Sequence, residues 1–186
     1  MSEELSDLNA ILEEAILIGV EYERLRRSFM VDLRLLNLPS SEVEPPELLV
    51  QLRLWPVSRV LATLTDTVGR PFSLTLKELP SEVASFGGLA LYGGEFFDVP
   101  LSPKALSEPQ LDVELIDSPS MHSIYLFQQS AHKGLDVWVW FDHLEFRDTD
   151  GKLLEPRWLV AEAKRWWDAV AMGDPRTAKA GIFPIK

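Results

Sequence analysis

Histidine and carboxylate side chains gather in residues 121–151, and they are the groups best suited to chemistry in this chain. All three histidines of the sequence lie in this stretch. Imidazole and carboxylate are preferred ligands of zinc and non-haem iron, which makes His122, His143 and Glu145 candidate ligands. An antiparallel hairpin would bring His122 near His143, and strand alternation puts His143 and Glu145 on one face. A metal-assisted hydrolase is therefore one functional hypothesis.

The spacing of these ligands does not match a known metal motif, because no HExxH or similar pair holds two of them together. Exposed or hydrogen-bonded histidines in an ordinary hairpin give the same pattern. Signatures of nucleophilic catalysis are also missing: the sequence has no cysteine and no GxSxG, and Ser123 and His122 point to opposite faces of a strand. We therefore predict no cofactor and favour a protein that is not an enzyme.

Tryptophan supplies a second candidate site. Trp138 and Trp140 fall on one face of a predicted strand, and Trp166 lies on a predicted helix that could cover that face. Aromatic clusters line pockets for small ligands, although the same spacing is typical of core residues. A small-ligand carrier with a pocket of Trp138, Trp140 and Trp166 is therefore a further hypothesis.

The formal net charge of -11 over 186 residues restricts the choice of partner. A surface that binds nucleic acid or anionic lipid needs clustered lysine and arginine, so we expect neither a nucleic acid nor a membrane partner. An acidic surface instead steers a basic protein towards it. In size, acidity and absence of cysteine the chain is similar to bacterial immunity-type inhibitors, although no motif carries that similarity.

The leading hypothesis is an acidic binding or interaction protein with a basic protein partner. The absence of cysteine suits a reducing compartment, and no apolar run in the sequence has the features of a signal peptide or the length of a membrane span. We therefore expect a cytoplasmic location. The apolar strands are also compatible with a homodimer, for which no specific sequence signature exists.

Hydrophobic periodicity predicts the elements that position these side chains. Alternating apolar residues predict strands at 16–22, 29–35, 48–54, 60–65, 72–76, 111–115, 121–128 and 135–146. Pro56 predicts a bend or an edge between two strands, a change of phase near Asp142 and His143 predicts a bulge, and two glycine pairs predict turns around a short strand at 89–92. Helical spacing predicts helices over 2–14 and from Pro156 to near Gly173.

These elements predict one α+β domain over residues 1–186, with residues 173–186 as an irregular C-terminal tail that packs on the domain. We expect a mainly antiparallel sheet of about seven or eight strands, built as a sandwich or a half-barrel, with the N-terminal and C-terminal helices packed on it.

Overall fold

The computed structural model describes Leu5 and residues 7–13, 15–40, 47–98 and 120–180. Within these residues the chain forms a mostly antiparallel sheet of eight strands, with three α-helices packed on it. This arrangement confirms the predicted α+β class, including the helices near both ends of the chain. None of the described helices is both long and apolar enough to cross a membrane.

The sheet is ordered β1-β2-β3-β7-β6-β5, while β4 pairs with β3 and β8 pairs with β7. Its strands are β1 (Ile16–Glu23), β2 (Ser28–Leu36), β3 (Glu47–Thr65), β4 (Pro71–Ser73), β5 (Leu91–Phe97), β6 (His122–Gln129), β7 (Gly134–Arg147) and β8 (Leu153–Leu154). The helices are α1 (Asn9–Leu12), α2 (Leu79–Ser85) and α3 (Pro156–Ala171), and a 3-10 helix covers Pro175–Ala180.

The sheet curls so far that its two edge strands meet at one end. Ile16 of β1 forms an antiparallel bridge with Ala90, which precedes β5, and the Leu91 N–H donates to the Ala15 carbonyl at 2.6 Å. The Gln128 amide donates to the Leu89 carbonyl at 2.9 Å beside this junction. A single open sheet with this curl corresponds to the half-barrel alternative, and the described residues form no second sheet for a sandwich.

The core lies inside the curl because alternate residues of each strand point there. On β2, Phe29, Val31 and Leu33 are almost fully buried, and helix α2 adds Leu79 and Val83 from outside the sheet. Full burial of a side chain of this size contributes about 1.5–3 kcal/mol to folding. The opposite face of each strand, which we call the outer face, is turned away from this core.

The prediction of two separate strands on either side of Pro56 is wrong, because β3 runs through this proline for 19 residues. The predicted bulge near Asp142 and His143 of β7 is also misplaced: the register shift lies across the ladder, between Val57 and Arg59 of β3. The extra residue is Ser58. The change of phase seen in the sequence of β7 is real, since both Phe141 and Phe146 are fully buried.

Helix α2 was not predicted, and its start signal lies at the end of the predicted strand at 72–76. The Thr75 N–H donates to the Glu78 carboxylate at 2.8 Å, and the Glu78 N–H donates back to the Thr75 hydroxyl at 3.3 Å. This reciprocal pair is a capping box, which begins a helix and ends the strand pattern early. Strand β4 therefore covers only Pro71–Ser73.

Two further differences concern the segments around the central strands. Gly93 and Gly94 lie inside β5, so the predicted turn at this glycine pair is wrong. The predicted strand at 111–115 lies outside the described residues.

The C-terminal helix is confirmed as α3, which begins at Pro156 and ends at Ala171, just before Gly173 with its φ of 70°. The tail is irregular only in part, because Pro175–Ala180 form a 3-10 helix. The Arg176 side chain donates to the Pro39 carbonyl at 3.3 Å and holds this helix on the domain. Residues 181–186 lie outside the described part of the tail.

Candidate functional site

The structure does not bring the three candidate metal ligands together. His122 faces the core with 7% of its surface exposed, and its ring lies 5.8 Å from that of Phe141. His143 is exposed on β7 and contacts Trp55 of β3, with ring centroids 5.9 Å apart. In the described ranges, no three histidine or carboxylate groups are placed to hold a metal ion.

Glu145 is engaged in an ion-pair network instead. Its carboxylate accepts a hydrogen bond from the Arg147 guanidinium at 2.7 Å and lies 3.5 Å from the Arg53 guanidinium. The hydrogen bond from Arg147 is the main cause that lowers the pKa of Glu145 below its ordinary value. A carboxylate already paired with two arginines stabilises the outer face of the sheet and has little capacity left for a metal.

The third member of the predicted aromatic pocket lies elsewhere in the fold. Trp166 is fully buried with Leu38 and Ala169 in a small cluster separate from the main core. This placement follows from the packing of α3, which lies mainly against α1, β2 and the 3-10 helix. Trp166 therefore does not cover Trp138 and Trp140.

Trp138 and Trp140 do share a face, as predicted, and four further aromatic residues extend it. Their rings are 6.1 Å apart, and Trp138 also stacks on Tyr125 at 4.6 Å and on Phe97 at 5.5 Å. The strand register explains these contacts, because Tyr125 is directly opposite Trp138 in the β6–β7 ladder. We define the aromatic face as the outer-face side chains of Tyr92, Phe97, Tyr125, Phe127, Trp138 and Trp140.

The aromatic face is continuous across β5, β6 and β7 and is partly open to solvent. Phe127 stacks nearly parallel on Tyr125 at 6.3 Å, and Tyr92 meets Phe127 edge-on at 5.9 Å. Tyr92 is 77% exposed, whereas Tyr125, Phe127 and Trp138 are half-buried. Trp140, at 3% exposure, closes one end of the face. A continuous apolar patch of this kind on an outer surface is typical of an interaction site.

Two carboxylates lie within the aromatic face. Glu95 on β5 is directly opposite Tyr125, and Asp136 on β7 is directly opposite Phe127. The Tyr125 hydroxyl donates to Asp136 Oδ1 at 2.5 Å. Burial, and then this hydrogen bond, raise the pKa of Tyr125, so its hydroxyl remains a donor at physiological pH. Among the residues that the structure describes, neither Glu95 nor Asp136 has a cationic partner.

Among the described residues, Arg59 places a cation against this face. The guanidinium carbon of Arg59, opposite Trp140 in the β3–β7 ladder, is 5.7 Å from the Trp140 ring centroid. An arginine above a tryptophan face is the cation–π pairing that stabilises such contacts. The acidic centre of the face, around Glu95 and Asp136, has no equivalent cation from the described chain.

Sequence reasoning identified Trp138 and Trp140 but missed the other members of the aromatic face. Strand alternation shows which residues of one strand share a side, but it does not show which strand lies next to it or in what register. The alternation of Tyr125 and Phe127 within one predicted strand was the available signal. No family model, curated protein or solved structure matches this chain.

Proposed function

We propose that the chain is a non-enzymatic binding protein that uses the aromatic face to hold a protein partner with a basic surface. The observation that carries this proposal is the pair of carboxylates, Glu95 and Asp136, set among partly exposed aromatic rings and without a cationic partner among the described residues. Ring faces attract cations through their quadrupole, and carboxylates attract them through charge. A surface that offers both is complementary to lysine and arginine side chains.

The charge of the whole chain supports a basic partner. The net charge of -11 produces a negative potential around the molecule, which raises the rate of encounter with a cationic protein and falls as salt increases. The absence of cysteine fits a partner met in a reducing cytoplasm. The aromatic face and the negative potential around the molecule therefore both favour a basic protein as the partner.

The packing of the rings favours a macromolecule over a small ligand. Tyr125 and Trp138 stack with their centroids 4.6 Å apart, and Phe97 stacks on the same tryptophan. Rings in direct contact fill the space between them, whereas a small-ligand site is a concave pocket that buries most of its ligand. The aromatic face is instead a broad surface, as expected for protein binding.

The test is a titration with a peptide rich in lysine and arginine, measured by isothermal titration calorimetry at low and at physiological salt. The site variant is Glu95→Gln with Asp136→Asn. The control is Glu13→Gln with Glu21→Gln, which removes the same charge from exposed positions in α1 and β1 regions. We expect the site variant to weaken binding about tenfold or more, and the control to have little effect, because only close charge pairs couple strongly.

The opposite result would reject the proposal. If both double variants weaken binding equally, net charge alone attracts the peptide and the aromatic face is not its site. A further variant, Trp138→Ala, removes the central ring while keeping both carboxylates. Unchanged affinity in that variant would show that the rings take no part.

A further inference from the structure

Arginine, rather than lysine, lies over the tryptophans on the outer face of the described sheet. The Arg53 guanidinium is 5.4 Å from the Trp55 ring centroid, and the Arg59 guanidinium is 5.7 Å from that of Trp140. The described chain also has Lys133 above Phe86 at 4.8 Å, and there the ammonium is paired with Glu82 at 3.0 Å. The outer face thus contains two internal examples of guanidinium on tryptophan.

The hydrogen bonding of Asp136 leaves one of its oxygens available. Asp136 Oδ1 accepts the Tyr125 hydroxyl, and Oδ2 has no partner among the described residues. The hydroxyl holds the carboxylate beside the Tyr125–Trp138 stack. A cation that contacts the stack is therefore within reach of a fixed acceptor, and Glu95 offers a second acceptor on the other side of Tyr125.

Guanidinium suits this combination better than ammonium does. It is planar and weakly hydrated, so it lies on an aromatic surface and still directs N–H donors sideways to a carboxylate. Ammonium is a compact, strongly hydrated charge that loses more solvation when it contacts rings. A surface that has rings and carboxylates side by side therefore discriminates between arginine and lysine, which have equal charge.

We propose that the partner presents arginine to the aromatic face, with a guanidinium on the Tyr125–Trp138 stack and its N–H groups donating to Asp136 and Glu95. This inference rests on the proposed function, because it specifies which basic side chain the same surface receives. The occupant is an arginine-bearing segment of another protein. A second copy of the chain is disfavoured as the occupant, since a symmetric contact would place these uncompensated carboxylates against each other.

The experiment uses peptides that differ only in the cation. One contains arginine separated by glycine and serine, the second has lysine at the same positions, and the third has asymmetric dimethylarginine, which keeps the charge but loses donors. Calorimetry gives the affinities, and NMR shifts of the Trp138 indole report contact with the face. We expect the arginine peptide to bind about tenfold more tightly than either of the others, as for the loss of a bidentate charge-assisted contact.

Variants separate this preference from general attraction. Asp136→Asn should reduce the ratio of arginine to lysine affinity to near one, whereas Glu21→Gln should leave the ratio unchanged. Equal binding of the lysine and arginine peptides, still lost in the Glu95→Gln and Asp136→Asn double variant, would overturn the arginine inference and leave the proposed function standing. Failure of every peptide to bind would overturn both.

Sedimentation of the protein alone tests whether a second copy of the chain occupies the aromatic face. We expect a monomer over the concentration range of the titrations. A dimer that dissociates on Trp138→Ala would show that a second copy covers the aromatic face, and would overturn the inference.

Discussion

Two adjacent glycines in β5 offer a matched test of how helix α1 lies against the sheet. A Cβ added at Gly94 would lie 2.9 Å from Leu12 Cβ and 3.1 Å from Leu12 Cδ1. A Cβ added at Gly93 would meet Phe127 Cβ at 3.9 Å, which is ordinary contact. We therefore expect Gly94→Ala to destabilise the fold and Gly93→Ala to leave it nearly unchanged.

The loss of stability expected for Gly94→Ala depends on which Leu12 atom the added Cβ would contact. Leu12 Cβ is attached to the helix backbone, so rotation of the side chain cannot move it away and the helix itself must shift. Overpacking of this kind costs about 1–3 kcal/mol. The loss of chain entropy in the unfolded state on replacing glycine favours both variants by about 0.4–1 kcal/mol and cancels in their comparison. Gly94→Ala should therefore be less stable than Gly93→Ala by about 1–3 kcal/mol.

Urea denaturation of both variants measures this difference, and thermal melting should show a shift of about 2–4 °C for each kcal/mol in a chain of this size. Hydrogen exchange supplies a local readout, because the Phe96 N–H donates to the Asn9 side chain at 2.8 Å. A shift of the helix should expose this amide in Gly94→Ala alone. Equal stability of the two variants, with equal protection of Phe96, would refute the packing of α1 on β5.

Three other outcomes follow from residues described above. Glu145→Gln should flatten the acid side of the curve of stability against pH. The lowered pKa of Glu145 contributes stability at pH values above the ordinary glutamate pKa, and this contribution is lost as pH falls through the folded-state pKa. An unchanged curve in acid denaturation would contradict this role. Trp166→Ala should cost about 3–5 kcal/mol in urea denaturation while leaving peptide affinity intact, since its ring is buried away from the aromatic face. Because His122, His143 and Glu145 do not converge, EDTA should leave the melting temperature unchanged, and a fall of several degrees would restore the metal hypothesis.

Much of the sheet could be predicted because apolar residues recur at every second position of a half-buried strand. Strands β1, β2, β6 and β7 each place apolar residues on the core side, and their predicted positions agree with the structure to within a few residues. Helix α3 was equally clear, since proline at its start and glycine after its end delimit a helical stripe. These signals are local, and each acts within one element.

The features that were missed depend on contacts between elements or on competing local signals. An alternating apolar pattern hides the capping box at Thr75 and Glu78, and Pro56 separates two predicted strands that the structure joins into one. The aromatic face depends on β5, β6 and β7 being neighbours in a particular register. Only that register places Glu95 beside Tyr125 and makes the acidic, aromatic surface visible.

The pairing of β3 with β7 also determines the order in which the fold can assemble. Gln51 pairs with Arg147 and Thr65 with Gly134, so paired residues of the two longest strands are far apart in the sequence. During synthesis, β1, β2 and β3 leave the ribosome well before the strand that completes them, and one long edge of β3 stays unpaired meanwhile. Contacts so distant in sequence are typical of slow folding, in milliseconds to seconds. A fragment that ends before residue 120 would keep this edge open and should aggregate, whereas the full chain covers it.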